Sequence, residues 1–441
     1  MFSNLDLRKL ILPLVIEQIL VMTVGIADTM MISYAGEGAI SGVSLVDMVN
    51  YLVITILTAL ATGGAVIVSQ YLGSQEGKKA NLSASQLLTA SAVISTALMV
   101  ICLLLHRVIL NLLFGTVAPE VMEAADTYFL ISALSFPFLG IYNASSALFR
   151  SMRRTNVTMY VALLMNVINV AGNAIGIFVL HAGVAGVAVP TLISRAVAAI
   201  LLTYLAFHKK NPVFISWKDI FSFQKDILQR ILRIAVPNGI ENGLFALGRV
   251  LVTTIVALFG TAQIAANGVA GSIDMFAIVV VNAVNLAMVT VVGQCVGANE
   301  YAQAQKYIKK LMAVSYVSTG LLSLGVLAVL PGLLGTFSLS EETYRLSFIL
   351  VLLHNGLAFL LHPTSFNLPN ALRAAGDARF TMYAGIGSML VFRLGSAVLF
   401  GIVLNMGIIG VWIAMGTDWL FRSILFSVRF KKGKWKEFRS I

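Results

Sequence analysis

Glu17 and Asp28 stand eleven residues apart within an otherwise apolar stretch, ILPLVIEQILVMTVGIADTMMIS. At about 3.6 residues per helical turn this spacing puts both carboxylates on one face, about 16 Å apart along the axis. A carboxylate in a half-dry cleft exchanges H⁺ against Na⁺ or a cationic solute as its surroundings open and close. Apolar segments further along carry Asp47, Arg195, Glu241, Arg249, Asp274, Arg393, Asp418 and Arg422. An ionised side chain near the centre of a bilayer costs at least about 2.5–3.5 kcal/mol, so each needs a partner or a task. Glu241 follows Pro237 by four residues as Glu17 follows Pro13, and each proline loosens one backbone bond. Arg249 needs an acidic partner to lower its cost. Asp418 and Arg422, four apart, predict an intrahelical ion pair. Asp47 and Asp274 are expected near outer helix ends, where water or an N-terminal dipole satisfies an acid. His362 precedes Pro363 and Pro369. The prolines predict a bent helix beside a cavity, with the histidine hydrogen-bonded.

The elements that hold these groups are dictated by composition. Of 441 residues, 59% are hydrophobic and 11% charged, where soluble chains carry roughly 25% charged, and mean hydropathy is +0.91. Twelve apolar stretches fall near 10–33, 47–72, 82–108, 124–150, 157–180, 183–207, 231–258, 271–296, 307–332, 343–372, 380–404 and 407–428, each long enough to span a bilayer as a helix. The first holds Glu17 and Asp28 and lacks a small-residue cleavage site, so it reads as a span kept in the mature protein. With a cytoplasmic N-terminus, 24 of the 30 Lys and Arg fall in inside connections, and outside ones hold only Arg107 and Arg345. That asymmetry predicts a cell-membrane protein with both termini cytoplasmic. The net charge of +11 is thus explained by topology, with no basic domain for nucleic acid. Cys102 and Cys295 match no metal or disulfide spacing and read as packing residues.

The chain repeats itself. An offset of 224 pairs Pro13 with Pro237, Glu17 with Glu241, Gly36 with Gly260, Gln70 with Gln294, Gly73 with Gly297 and Gly183 with Gly407. Between them, at 223, Arg150 pairs with Arg373 and Thr158 with Thr381. The expected organisation is a six-helix lobe over 1–207, an amphipathic cytoplasmic linker over 208–230, a second six-helix lobe over 231–428 and a basic tail over 429–441. Six is even, so the lobes share an orientation and are expected to frame a central cleft suited to alternating access.

Several local signatures carry a family resemblance: VGIADTMMIS around Asp28, VSQYLGSQEGKKA with its copy VGQCVGANEYAQA, NVINVAGNAIGIFVLHAGVAGVAVPT, IAVPNGIENGLFALGRVLV, GTAQIAANGVA and NALRAAGD. In this order the chain resembles the multidrug and toxic compound extrusion (MATE) transporters over essentially its whole length. The resemblance implies an all-α integral membrane protein of two pseudo-symmetric six-helix bundles forming V-shaped lobes. It also implies an antiporter exporting amphipathic, often cationic small organic compounds against H⁺ or Na⁺, monomeric and without cofactor. Carried over residue by residue, the ion-coupling set is Asp28, Asn169, Asn173 and Thr191, with Na⁺ at Asp28 the one metal it implies. Many members have an aspartate where this chain has Asn173. In the second lobe one branch uses a helix 7 glutamate, which falls on Glu241, and a helix 10 aspartate, where this chain has His362 or Ser365. Glu17, Glu241, Arg249 and His362 are the candidate cleft residues. A flippase for lipid-linked precursors is the alternative of related architecture. Enzyme motifs such as H-E-x-x-H or G-x-S-x-G do not occur. The GSQEGKKAN loop lacks the Gly-x-x-x-Asp-Arg pattern of the other twelve-helix superfamily.

Overall fold

A computed structural model describes residues 1–441 except 116, 338, 439 and 440, so Arg439 of the basic tail lies outside the described residues. The described residues form helices joined by turns and short connections, with no strand among them. Eleven helices are long and apolar enough to cross a membrane, and a pair bent by 45° brings the spans to twelve. They are α1 (Asn4–Ser33), α2 (Glu37–Gly73), α3 (Gly77–Phe114), α4 (Pro119–Leu134 and Phe136–Ser151), α5 (Thr155–Ala174) and α6 (Ala185–Ala206). The second half continues with α7 (Lys225–Ala257), α8 (Thr261–Asp274 and Val279–Gly297), α9 (Tyr301–Gly335), α10 (Glu341–Ala374), α11 (Ala378–Gly387) and α12 (Gly407–Lys431). Two helices widen into π turns, α5 over Ile175–Val179 and α11 over Ser388–Gly395 and Val398–Val403.

Residues 2–239 form one compact unit and 240–440 another, the division falling inside α7. In the first, α2 packs on α3 and α4, and α5 lies between α1 and α6. In the second, α10 packs on α8, α9 and α12. The central helix of each unit is the same repeat element: 67% of the apolar window of α2 is buried and 78% of that of Val279–Gly297, against 22% for α1. Buried runs such as Gly63–Gly64–Ala65 and Cys295–Val296–Gly297 are made of small residues, which let helix backbones approach closely where lipid supplies no hydrophobic drive.

The repeat reaches down to single dihedral angles. Gly36 and Gly260 precede α2 and α8 with φ of 105° and 95°, a region that residues with a Cβ avoid. Gln75 and Asn299 turn into α3 and α9 with φ of 61° and 59°. After each, a backbone bond reaches back into the preceding helix, Glu76 N to Tyr71 O at 3.0 Å and Glu300 N to Cys295 O at 2.9 Å. At the linker, Gln86 of α3 donates to Asp219 O (2.8 Å) and Ser222 O (2.5 Å) and accepts from Gln224 N (3.2 Å).

Several helix boundaries differ from the sequence expectation. α2 starts at Glu37, so Asp47 lies in its third turn instead of at its outer end; the polar and glycine-rich start GEGAISG hid the first turns from an apolar window. Helix 8 begins earlier than expected and breaks over 275–278, which leaves Asp274 at the break. Helix 10 is unbroken, with Pro363 and Pro369 inside it. Side chains of neighbouring helices donate into this stretch, Tyr316 Oη to Leu360 O (3.3 Å) and Ser423 Oγ to Leu361 O (3.2 Å), as is usual where prolines loosen a membrane helix.

Candidate ion-coupling site

α1 and α5 lie side by side, and their contact brings Asp28 to a ladder of amides. Asn173 Nδ2 donates to Asp28 Oδ1 at 2.6 Å and to Asn169 Oδ1 at 3.1 Å. Asn169 Nδ2 donates to Thr191 Oγ1 at 2.9 Å, and that hydroxyl donates to Val187 O one turn back in α6. The i,i+4 spacing of Asn169 and Asn173 places both on one face of α5. All four residues expected to form the coupling set therefore make one continuous hydrogen-bonded chain. Asn169 and Asn173 are buried, Asp28 is partly exposed, and Asn173 Oδ1 is buried without a partner. Asn173 stands two residues before the π turn Ile175–Val179.

Residues that sequence reasoning did not join to Asp28 lie close by. Asp47 of α2 accepts from Tyr128 Oη (3.2 Å) and Asn50 Nδ2 (3.5 Å). Arg195 Nη1 donates to Ser135 Oγ (2.7 Å), at the bend of α4. Asp47 and Arg195 are both within Coulombic reach of Asp28. No spacing in the sequence links α2, α4 and α6 in this way, so only the fold reveals the neighbourhood.

Glu17 is placed differently. Its Oε1 accepts from Arg150 Nη1 at 3.1 Å and its Oε2 from Thr158 Oγ1 at 2.8 Å, and the residue is 4% exposed. Its repeat mate Glu241, also 4% exposed, accepts from Arg373 Nη2 at 2.5 Å, while Arg373 Nε donates to Thr381 Oγ1 (3.2 Å). Glu17, Arg150 and Thr158 thus have Glu241, Arg373 and Thr381 as counterparts. Both glutamates, taken from sequence as cleft candidates, sit in buried ion pairs inside their own units.

The remaining candidates lie in the second unit. Asp418 Oδ1 stands 3.4 Å from Arg422 Nε, the expected i,i+4 pair, and also accepts from Ser388 Oγ. Arg249 is exposed, and among the described residues it has no acidic partner. That departs from the expectation of a pair: Glu241 is held by Arg373, Asp274 by Asn355 and His354, and Asp418 by Arg422. His362 is 5% exposed, stacked on Phe366 (4.3 Å) and edge-on to Trp419 (5.0 Å), with Nδ1 buried and unpartnered; the hydrogen bond expected of it is not formed at that nitrogen. Ser365 Oγ bonds Trp419 O (2.7 Å) and Ser423 Oγ (2.9 Å). Asp274 Oδ1 accepts from Asn355 Nδ2 (2.9 Å) and lies 3.2 Å from His354 Nδ1. His354 went unnoticed in the sequence, where nothing ties helix 10 to the break in helix 8.

With the geometry in place, the comparisons decide the family. The MatE pattern matches residues 13–175 and 237–417, covering both halves of the repeat. The chain belongs to the MatE family. MatE members are transporters, and so this chain is a multi-pass membrane transporter and not an enzyme. It is 29% identical to the "Uncharacterized transporter YisQ" of Bacillus subtilis, across 98% of this chain and 95% of that protein. It is 26% identical to the "Probable multidrug resistance protein NorM" of Thermotoga maritima, across 98% and 93%. Among solved structures, one titled "Outward-facing conformation of a multidrug resistance MATE family transporter of the MOP superfamily" matches with a TM-score of 0.91 at 20% identity, covering 98% of this chain and 96% of that one. MatE transporters are ion-coupled and need no cofactor.

Proposed function

We propose that this transporter is a secondary active antiporter of the cell membrane, exporting amphipathic organic compounds, cationic ones among them, in exchange for inward H⁺ or Na⁺. It acts as a single chain with both termini cytoplasmic. The observation that carries the reading is the chain from Asp28 through Asn173 and Asn169 to Thr191, with one ionisable group at its head. A proton on Asp28 turns an acceptor into a donor, and the unpartnered Asn173 Oδ1 lies on the same amide that binds the carboxylate. A Na⁺ would draw on oxygens of the same residues, the hard ligands that alkali and alkaline-earth cations take. Ion and cationic cargo then compete for one carboxylate, and this competition is the coupling free energy that antiport needs. The related "Probable multidrug resistance protein NorM" supports an organic cargo.

The test is efflux of a fluorescent cation from proteoliposomes under an imposed pH gradient and, separately, an imposed Na⁺ gradient. The gradient that drives efflux identifies the ion. Asp28→Asn is expected to abolish gradient-driven efflux while the protein remains folded; efflux at the wild-type rate in that variant would end the coupling role of Asp28.

A further inference from the structure

Around Arg393 the second unit carries more cations than acids. Arg422 is accounted for: besides Asp418, its Nη2 donates to Gly385 O at 3.3 Å, and its guanidinium lies over the rings of Phe245 (5.2 Å) and Phe366 (5.6 Å). Asp418 is held by Arg422 and Ser388. Among the described residues the side chains of Arg249 and Arg393 form no ion pair, Arg393 Nε is buried without a partner, and the one carboxylate oxygen left over there, Asp418 Oδ2, cannot neutralise both. Within Coulombic reach of Arg393 are Asp418, Arg249 and Arg422, three guanidinium groups to one carboxylate.

The packing of α7, α11 and α12 makes this a site. Gly248, beside Arg249, backs directly onto Met389: a Cβ there would lie 1.9 Å from Met389 Cε. Arg393 follows Met389 by one turn of α11, and Phe245, one turn before Arg249, carries the Arg422 guanidinium. Three packed helices of one unit thus each contribute an arginine, and Arg249 lies about 12 Å along α7 from the neutral Glu241–Arg373 pair. Arg249 is exposed, so a ligand can reach it. An intramembrane arginine without an acid is unfavourable unless something supplies one, and the planar guanidinium fork fits carboxylate, phosphate and sulfonate oxygens two at a time.

We propose that Arg249 and Arg393 bind an anionic group, a carboxylate, phosphate or sulfonate, carried by the exported compound. The exported compounds then include ones that carry an anionic group, zwitterions among them, a charge class that Asp28 alone does not indicate. This rests on the reading of the chain as an exporter of organic compounds, but not on its coupling ion.

The test is equilibrium binding, without any gradient, by the full chain in phosphatidylcholine nanodiscs. Fluorescence anisotropy would follow two dyes that share a xanthene ring system, anionic carboxyfluorescein and cationic rhodamine 123. Wild type is expected to bind carboxyfluorescein. Arg249→Gln and Arg393→Gln are each expected to weaken that binding about tenfold or more, the loss of one charge-assisted contact, with Arg393→Lys in between and rhodamine 123 not weakened. Arg249 is exposed, so Arg249→Gln decides the matter alone if Arg393→Gln does not fold. No gradient is imposed in this assay, which separates this site from the coupling reading. Absence of carboxyfluorescein binding to wild type, or binding unchanged in the Arg249 variant, overturns the proposal. So does displacement of the dye when phosphatidylglycerol is added to the discs, because the arginines then hold a lipid headgroup and not cargo.

Discussion

At Glu17 both carboxylate oxygens are occupied, one by Arg150 and one by Thr158, whereas Asp28 accepts from a single neutral amide, that of Asn173. The first arrangement fixes a charge; the second leaves one available for exchange. Removing one partner of a buried ion pair strands the other, at a cost of about 3–5 kcal/mol. Glu17→Gln is accordingly expected to lower the thermal unfolding midpoint markedly while Asp28→Asn leaves it near wild type, both read by unfolding of the purified protein in detergent. The sequence shows the two acids on one helix face, and the i,i+4 spacing of Asn169 and Asn173 shows their common face. It does not show that Arg150, counted as an inside-loop charge, reaches back to Glu17, because helical periodicity gives directions around one axis and not the partner across the gap. The same blindness hides His354 beside Asp274 and the lack, among the described residues, of an acidic partner for Arg249.

Among the helices, the twelve spans were legible because apolar length is imposed by the bilayer. Their irregularities were less so: Pro137 stands just past the bend at Ser135, but the break over 275–278 and the π turns leave no composition signal. Glycines are the exception, since a positive φ restricts the residue type. Gly183 and Gly407 are repeat mates with φ of 56° and 59° at the entry to α6 and α12. A Cβ on Gly183 would meet open space, while one on Gly407 would lie 2.5 Å from Gln263 Oε1, the atom that accepts from Ile408 N. Gly183→Ala should cost about 1 kcal/mol for the left-handed backbone alone. Gly407→Ala should cost clearly more, and comparing chemical denaturation of the two variants checks the order.

For the molecule as a whole, structure and chemistry follow different symmetries. The Glu–Arg pairs occur in both units, and Glu241 with Arg373 is the more enclosed, with side chains 4% and 6% exposed against 6% and 15% for Glu17 with Arg150. Glu241→Gln should therefore destabilise at least as much as Glu17→Gln in the same thermal assay; a harmless Glu241→Gln would mean that this pair is not structural. The amide ladder has no such copy: Asp28 corresponds to Val252, and Asn169 and Asn173 to Phe392 and Ser396. The amide ladder and its acid belong to one unit, and Arg249 and Arg393, without an ion-pair partner among the described residues, to the other.

The π turn over Ser388–Gly395 has a historical reading. Between the Thr158–Thr381 match and the Gly183–Gly407 match, the offset grows from 223 to 224, so the second copy holds one residue more. A π turn is how a helix absorbs one inserted residue without losing its ends, and α11 carries a longer π stretch there than α5 does. An insertion after gene duplication would have turned the intervening side chains by roughly a quarter of a circle relative to their ancestral mates. Arg393 lies within that stretch, where Val170 stands in the first copy. A single added codon thus offers a route by which one descendant of the duplicated bundle came to show a new face, and a new charge, to its interior.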